Sequence, residues 1–244
     1  MKKLLFVLVY LFLFSVWTFA QKPKVKNDPN HDDRPIHFGF SLGLNTMDYK
    51  ITHSDYAVQN GIFVDVKDLS PGINIHAIAN LRLADNFDLR TLPGISFGER
   101  LISFSDLKNN NQLIYNNGSV YKSNSAYIEI PLLLKYKSKR LNNFRPYLIG
   151  GGNFRYDLSV KNSYDINDQL ILIKPFDVYG EIGFGIDFYL IYFKFATEIK
   201  YSIGLTNILR RTDSKGQIPA DLAKYTDSID KINSHIVIIS FHFE

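Results

Sequence analysis

Residues 36–45 read IHFGFSLGLN, and their alternation decides the fold. Ile36, Phe38, Phe40, Leu42 and Leu44 fall on one side of an extended chain. His37, Gly39, Ser41, Gly43 and Asn45 fall on the other. Side chains alternate across a strand with period two, so this stretch is a strand with one greasy face and one small or polar face.

The pattern recurs seven more times, and past residue 34 no segment shows a convincing helical period. The second strand sets Ile73, Ile75, Ala77, Ala79, Leu81 and Leu83 against Asn74, His76, Asn80 and Arg82. The third sets Phe87, Leu89, Ile95 and Phe97 against Asp88, Arg90, Ser96, Gly98 and Arg100. In the fourth, Ile128, Ile130, Leu132, Leu134 and Tyr136 oppose Tyr127, Glu129, Lys135 and Lys137. The fifth, residues 144–158, puts Arg145, Tyr147, Asn153, Arg155 and Asp157 on one face. The sixth opposes Phe176, Val178, Ile182, Phe184, Ile186 and Phe188 to Asp177, Glu181, Gly183, Gly185 and Asp187. The seventh opposes Phe193, Phe195, Ile199, Tyr201 and Ile203 to Lys194, Glu198, Lys200 and Gly204. The terminal SHIVIISFHFE aligns Val237, Ile239, Phe241 and Phe243.

Alternation alone fits a soluble sandwich, apolar faces inward, as well as a membrane barrel, apolar faces outward. The connections separate the two. Strands 2–3, 4–5 and 6–7 are joined through Ala84-Asp85-Asn86, the Lys139–Asn143 stretch and Leu190-Ile191, whereas the other four connections run far beyond hairpin length. Short turns at one end and long loops at the other mark an up-and-down transmembrane β-barrel, with both termini at the turn end. Tyr136, Tyr156 and Tyr201 near strand ends suit aromatic girdles. Pro93 and Pro131 lie inside strands of a wall with no free edge, which predicts local bulges there.

Lys2 and Lys3, an apolar run from Leu4 to Phe19 and Ala20 before Gln21 have the layout of a cleavable signal peptide, residues 1–20. The rival reading is a single anchoring helix, for which the run is short. Residues 21–34 (QKPKVKNDPNHDDR) read as a flexible periplasmic tether, and 35–244 as the barrel domain. Loss of residues 1–20 removes two lysines and no acid, lowering the formal charge from +4 to +2. That balance gives no case for nucleic-acid binding. The absence of cysteine excludes disulfides and thiolate chemistry.

An eight-stranded barrel has an interior just filled by side chains. Arg82, Arg90, Arg100, Glu129, Lys135, Arg145, Arg155, Asp157, Asp177, Glu181, Asp187, Lys194, Glu198 and Lys200 all point inward by parity and predict a paired lattice that plugs the lumen rather than an ion path. No catalytic, cofactor or metal residue emerges. His37, His76 and His242 lie inward on separate strands. Ser240 and His242 share a face but point inward, where a barrel hydrolase would not place them. Gly150-Gly151-Gly152 lacks a following Gly-Lys-Ser/Thr and is read as relief for bulky lumen side chains. Asn117-Gly118-Ser119 carries little weight, and IPADLAKY predicts one or two helical turns in a solvated loop.

RPIHFGFSLGLNTMDYKI, PGINIHAIANLRLADNFDLRTLPGISFGER and YIEIPLLLKYKSK together resemble the PorT family of the Bacteroidetes. The last segment is common to the wider group of OmpX/OmpA-like outer-membrane barrels; the first, closing on Asn45-Thr46-Met47-Asp48, is more particular. The resemblance spans Arg34 to Asp157 and implies a non-enzymatic accessory component of the type IX secretion system, serving export of C-terminal-signal proteins and gliding. Its implied partners are outer-membrane lipid and other secretion-system membrane proteins, with no small-molecule substrate. The alternative is a structural or adhesive outer-membrane barrel with no secretion role.

Overall fold

The computed structural model describes residues 26–29, 34–106, 112–113, 121–160, 171–211 and 220–244. In chain order the elements are β1 (Ile36–His53), α1 (Asp55–Asn60), β2 (Ile62–Leu69), β3 (Pro71–Arg82), β4 (Phe87–Thr91), β5 (Gly94–Asp106), β6 (Gln112–Leu113), β7 (Tyr121–Lys137), β8 (Phe144–Asp157), β9 (Leu172–Ile173), β10 (Phe176–Tyr189), β11 (Lys194–Gly204), β12 (Leu209–Arg210), α2 (Ala220–Asp227) and β13 (Ile229–Phe243). β2 with β3, and β4 with β5, each run on as one long stave, so eight staves cross the wall. Consecutive staves pair antiparallel. β1 is laddered on both sides, with Phe40 opposite Phe243 of β13 and Ala77 of β3, so the ring of pairings returns to its start.

The inside and outside are those the alternation predicts. Phe38 is 73% exposed and Ile182 66%, while Arg90 and Lys135 are at 0%. Only a membrane makes that arrangement favourable, because lipid covers an apolar belt that water would not. Tyr136 at the turn end, and Tyr156 and Tyr201 toward the loop end, face outward. The three tight connections all leave from one end: Leu83 N–H donates to Phe87, Leu141 N–H to Phe144, and Leu190 N–H to Phe193.

The staves run further than the sequence indicates, because the polarity of their faces inverts part-way along. On β1 the outward face passes from Ile36–Leu44 to Thr46, Asp48, Lys50 and Thr52, while the inward face becomes Met47, Tyr49 and Ile51. β5 does the same: Ile95 and Phe97 face out below Glu99 and Ser103, and Ile102 and Phe104 face in above Arg100. β13 mirrors it with Ile232 inward and Lys231 and Asn233 outward. The expected long loop between the first two strands is therefore strand on both sides of a short connection, Ser54–Gly61, with β1 laddered here to β13 and β2 to β5. There Ser54 caps α1 through the Ala57 N–H (3.3 Å), and Gly61 closes it at φ 75°.

The bulges expected at Pro93 and Pro131 are not there. The stave breaks at Leu92-Pro93, yet Ala79↔Thr91 and His76↔Gly94 on one side, and Thr91↔Leu132 and Gly94↔Glu129 on the other, keep one register across the break. Pro131 stays in its ladder with β8, opposite Asn153. Its carbonyl, facing the break, accepts from the Thr91 hydroxyl at 2.7 Å. Register shifts fall instead at Thr52/His53 and Val66/Asp68, beyond the apolar belt.

The triple glycine also differs from expectation. Gly150 and Gly152 face outward, the latter opposite Gly180, and at Gly151 a Cβ would collide with the Leu132 carbonyl. Glycines that do make room for bulky lumen side chains include Gly185, under the Tyr147 ring, and Gly98, under Met47.

Candidate functional site

The polar lumen is built in tiers. Nearest the turns, Lys135 Nζ sits 2.8 Å from both Asp187 oxygens and 3.6 Å from the centre of the Tyr147 ring. Lys194 reaches Glu244 at 2.6 Å, Arg90 reaches the same carboxylate at 2.5 Å, and Lys137 reaches Asp88 at 2.6 Å. Asn80 bridges Asp88 to Arg90. Glu198 accepts from the Tyr147 hydroxyl at 2.8 Å and lies 3.4 Å from His242 Nε2.

One tier higher, Arg155 donates to Glu129 at 2.6 Å and to Glu181 at 2.8 Å, with its guanidinium 4.3 Å from the Tyr179 ring centre. Asn153 bridges the same two carboxylates at 2.8 Å each. His76 and Ser96 complete Glu129, while Lys200 (2.9 Å) and Ser202 complete Glu181. Each carboxylate thus meets more than one donor, as a low-dielectric interior requires.

Arg100 breaks the ionic pattern. It is fully buried and, among the described residues, bonds only neutral oxygens: Tyr49 at 3.2 Å, Ser125 at 2.8 Å, Tyr127 at 3.3 Å and Ser234 at 3.0 Å. Its guanidinium stacks 4.0 Å from the Tyr49 ring centre, a cation–π contact that offsets part of the desolvation cost. Above Arg100 the interior turns apolar. Tyr49, Val64, Ile102, Phe104, Tyr225 and Ile232 pack together with residues from β9 and β12, forming a head at the loop end. α1 is pinned to the end of α2 by Ser54, whose N–H donates to Ser228 and whose hydroxyl donates to Asp227.

At the turn end, residues 26–29 of the segment read as a tether lie against the wall. Asn27 donates to Asn143 Oδ1 (2.9 Å) and to the Tyr189 carbonyl (3.0 Å), and Arg140 donates to the Asn27 and Asp28 carbonyls while lying 3.6 Å from the Tyr189 ring centre.

Sequence reasoning brings nearly all its inward residues to the lumen; Arg82 alone sits at the rim, half-exposed beside Asp85. It misses Glu244, whose place at the end of the last strand gave no sign of two cations converging on it. It also misses the tyrosines around Arg100 and the apolar head, although a shift of apolar residues from even to odd positions after Asn45 is visible in the sequence. His37, His76 and His242 are buried on separate staves. Ser240 and His242 share the lumen with Glu198, but the imidazole is 1% exposed. Asn117-Gly118-Ser119 lies outside the described residues, and IPADLAKY forms the two turns of α2 from Ala220 onward.

Residues 19–210 match the family described as outer membrane protein beta-barrel domain. Among solved structures, the outer membrane protein OprG of Pseudomonas aeruginosa is similar, at 14% identity over 85% of this chain and 93% of that one, with a TM-score of 0.43. The Yersinia pestis attachment invasion locus protein Ail is 11% identical over 84% and 96%, with a TM-score of 0.38. The Escherichia coli outer membrane protease OmpT is 11% identical over 90% and 98%, with a TM-score of 0.46. No curated protein matches the chain.

Proposed function

Because the chain belongs to the outer membrane protein beta-barrel family, we propose that it is a non-enzymatic accessory component of the type IX secretion system, anchoring or assisting assembly of the apparatus rather than conducting substrate. The observation that carries the reading is the filled lumen: two tiers of paired charges, the Arg100–tyrosine tier and an apolar head follow one another along the axis. Such a barrel offers surfaces to partners, and its wall and head are what it has to work with. The secretion role itself is supported by the PorT-like segments between Arg34 and Asp157. In this reading residues 1–20 are removed on export, both termini and the short turns are periplasmic, and the head stands outside the cell.

Deleting the gene is expected to abolish export of a reporter bearing the C-terminal signal while leaving general outer-membrane composition intact. Normal export would remove the secretion role and leave a structural or adhesive barrel. Protease added to intact cells is expected to cut at the loop end, and cutting at Lys139–Asn143 would reverse the orientation.

A further inference from the structure

Three features of the wall coincide at one place. The first is the break at Leu92-Pro93, where two prolines on neighbouring staves, Pro93 and Pro131, supply no backbone N–H. Residues 92 and 93 belong to neither flanking ladder, and what spans the gap is the Ala77 N–H to the Pro93 carbonyl (2.9 Å) and the Thr91 hydroxyl to the Pro131 carbonyl. The second is the lumen behind it. There Ile78, Leu92, Leu133 and Ile149 form a buried apolar cluster with Tyr147 and Ala196. The third is the outer surface in front of it, a groove of about 300 Å³ lined by Ile36, Phe38, Ala79, Leu89, Thr91 and Leu132. Ala79 is the small residue that opens it between Phe38 and Thr91, its partners on either side.

Backbone at bilayer depth must have its N–H and C=O groups satisfied within the protein. Here neither proline brings an N–H, and the Pro93 and Pro131 carbonyls take the Ala77 N–H and the Thr91 hydroxyl, so the break can lie between apolar side chains and an apolar groove. The groove has the volume of a small-ligand site, at the lower end of roughly 300–1,000 Å³. It sits within the belt that lipid covers and runs from the turn end toward mid-wall. At its turn-end mouth stands exposed Arg34, held there because the Arg82 N–H donates to the Pro35 carbonyl at 2.8 Å.

We propose that this groove is a binding site for one phospholipid, its acyl chain lying along Ala79 against the broken wall and its phosphate facing Arg34. Assignment to phospholipid rests on the orientation proposed above, which puts the turn end in the inner, phospholipid leaflet. The acyl-chain site itself does not depend on orientation or on any role in secretion.

The test uses the purified barrel in phosphatidylethanolamine vesicles containing a trace of the same lipid with a diazirine in its acyl chain. After irradiation, label is expected on the peptides bearing Leu89–Thr91 and Leu132, about five-fold above the belt position Ile182 of β10 on the far side of the barrel, a preference worth about 1 kcal/mol. Ala79→Phe, which fills the groove from β3, is expected to erase that excess while the protein keeps its heat-modifiable migration. Leu132→Trp fills it from β7 and serves if Ala79→Phe does not fold. Uniform labelling of the wild-type belt overturns the site, as does an excess that survives in either folded variant. Lipid A bearing the same diazirine is expected to show no excess, and an equal excess from it overturns the assignment to phospholipid.

Discussion

The lower two-thirds of each long stave and its upper end obey opposite rules. In the belt, Leu42 and Leu44 look out and Ser41 and Asn45 look in; on the same strand, Lys50 looks out and Tyr49 looks in. β1 keeps its register with β13 from Phe40 through Thr52 across the change of rule, although its ladder to β3 stops at Thr46↔Pro71. What differs is the solvent. Lipid takes the apolar face below the border and forces polar groups into the lumen, where they must pair. Water takes the polar face above the border, and ordinary hydrophobic burial fills the interior. Arg100 sits at the boundary with neither a carboxylate nor a hydrocarbon environment of its own, and phenol rings and hydroxyls supply the intermediate.

The largest effect is expected in the polar lumen. Glu181→Gln takes a carboxylate from both Arg155 and Lys200, each within 2.9 Å. The expected cost is about 3–5 kcal/mol, the usual consequence of leaving buried charge unpaired. Urea unfolding in vesicles, followed by heat-modifiable migration, measures it. Adding Lys200→Met is expected to recover only part of the loss, because Arg155 keeps Glu129 but remains one carboxylate short. Full recovery would show that Lys200 alone carried the defect.

In the head, Phe104→Ala removes a ring at 0% exposure that packs edge-on to Tyr225 at 4.8 Å. A cost of about 3 kcal/mol is expected, at the low end for a core phenylalanine because splayed ribbons can close on the cavity. The loss is confined to the head: protease sensitivity near α1 and α2 should rise while the membrane section still migrates as a folded barrel. Global unfolding would mean that head and belt are one cooperative unit.

The border itself is sharpened by exchanging residues across it. Leu42→Lys places a charge in lipid and is expected to cost roughly 2–4 kcal/mol if it lies near the midplane. Lys50→Leu, eight residues on and on the same face, is expected to leave stability unchanged because that face is in water. A penalty at both positions, or at neither, would put the border elsewhere.

The belt was legible in the sequence because one rule, apolar out and polar in, holds over eight strands, and short and long connections alternate. The head was not, because the same alternation with its sides exchanged looks like its end when only one parity is followed. Tyr49, Ile102 and Phe104 keep strict period two, but on the side that the belt reserves for polar residues. Partners in the lumen are legible as far as the neighbouring stave: parity puts Glu181 on the inward face beside Arg155 of β8 and Lys200 of β11, which both reach it. Contacts across the barrel, such as Arg90 with Glu244 or Arg100 with Ser234, depend on side-chain reach across a closed cylinder, which spacing along a strand does not encode.

The smallest expected effect lies at the opposite end from the head, where the chain enters the barrel. Arg140 joins three things: the Tyr189 ring under its guanidinium, the Asn143 side chain, and the carbonyls of Asn27 and Asp28. Arg140→Ala removes one cation–π contact, worth about 0.5–1 kcal/mol at a partly exposed site, and the hydrogen bonds to a segment that has few others. Barrel stability should scarcely move, since Asn143 and Tyr189 stay in their turn through the Tyr189 N–H to Asn143 carbonyl bond at 2.8 Å. Hydrogen exchange at residues 26–29 should accelerate markedly, with exchange in β8 and β10 unchanged. Lysine at the same position keeps the charge but not the flat, forked donor set, and is expected to restore little of the protection. If Arg140→Lys protected the segment as well as arginine does, simple charge attraction would hold it there, and the stacked geometry would be incidental.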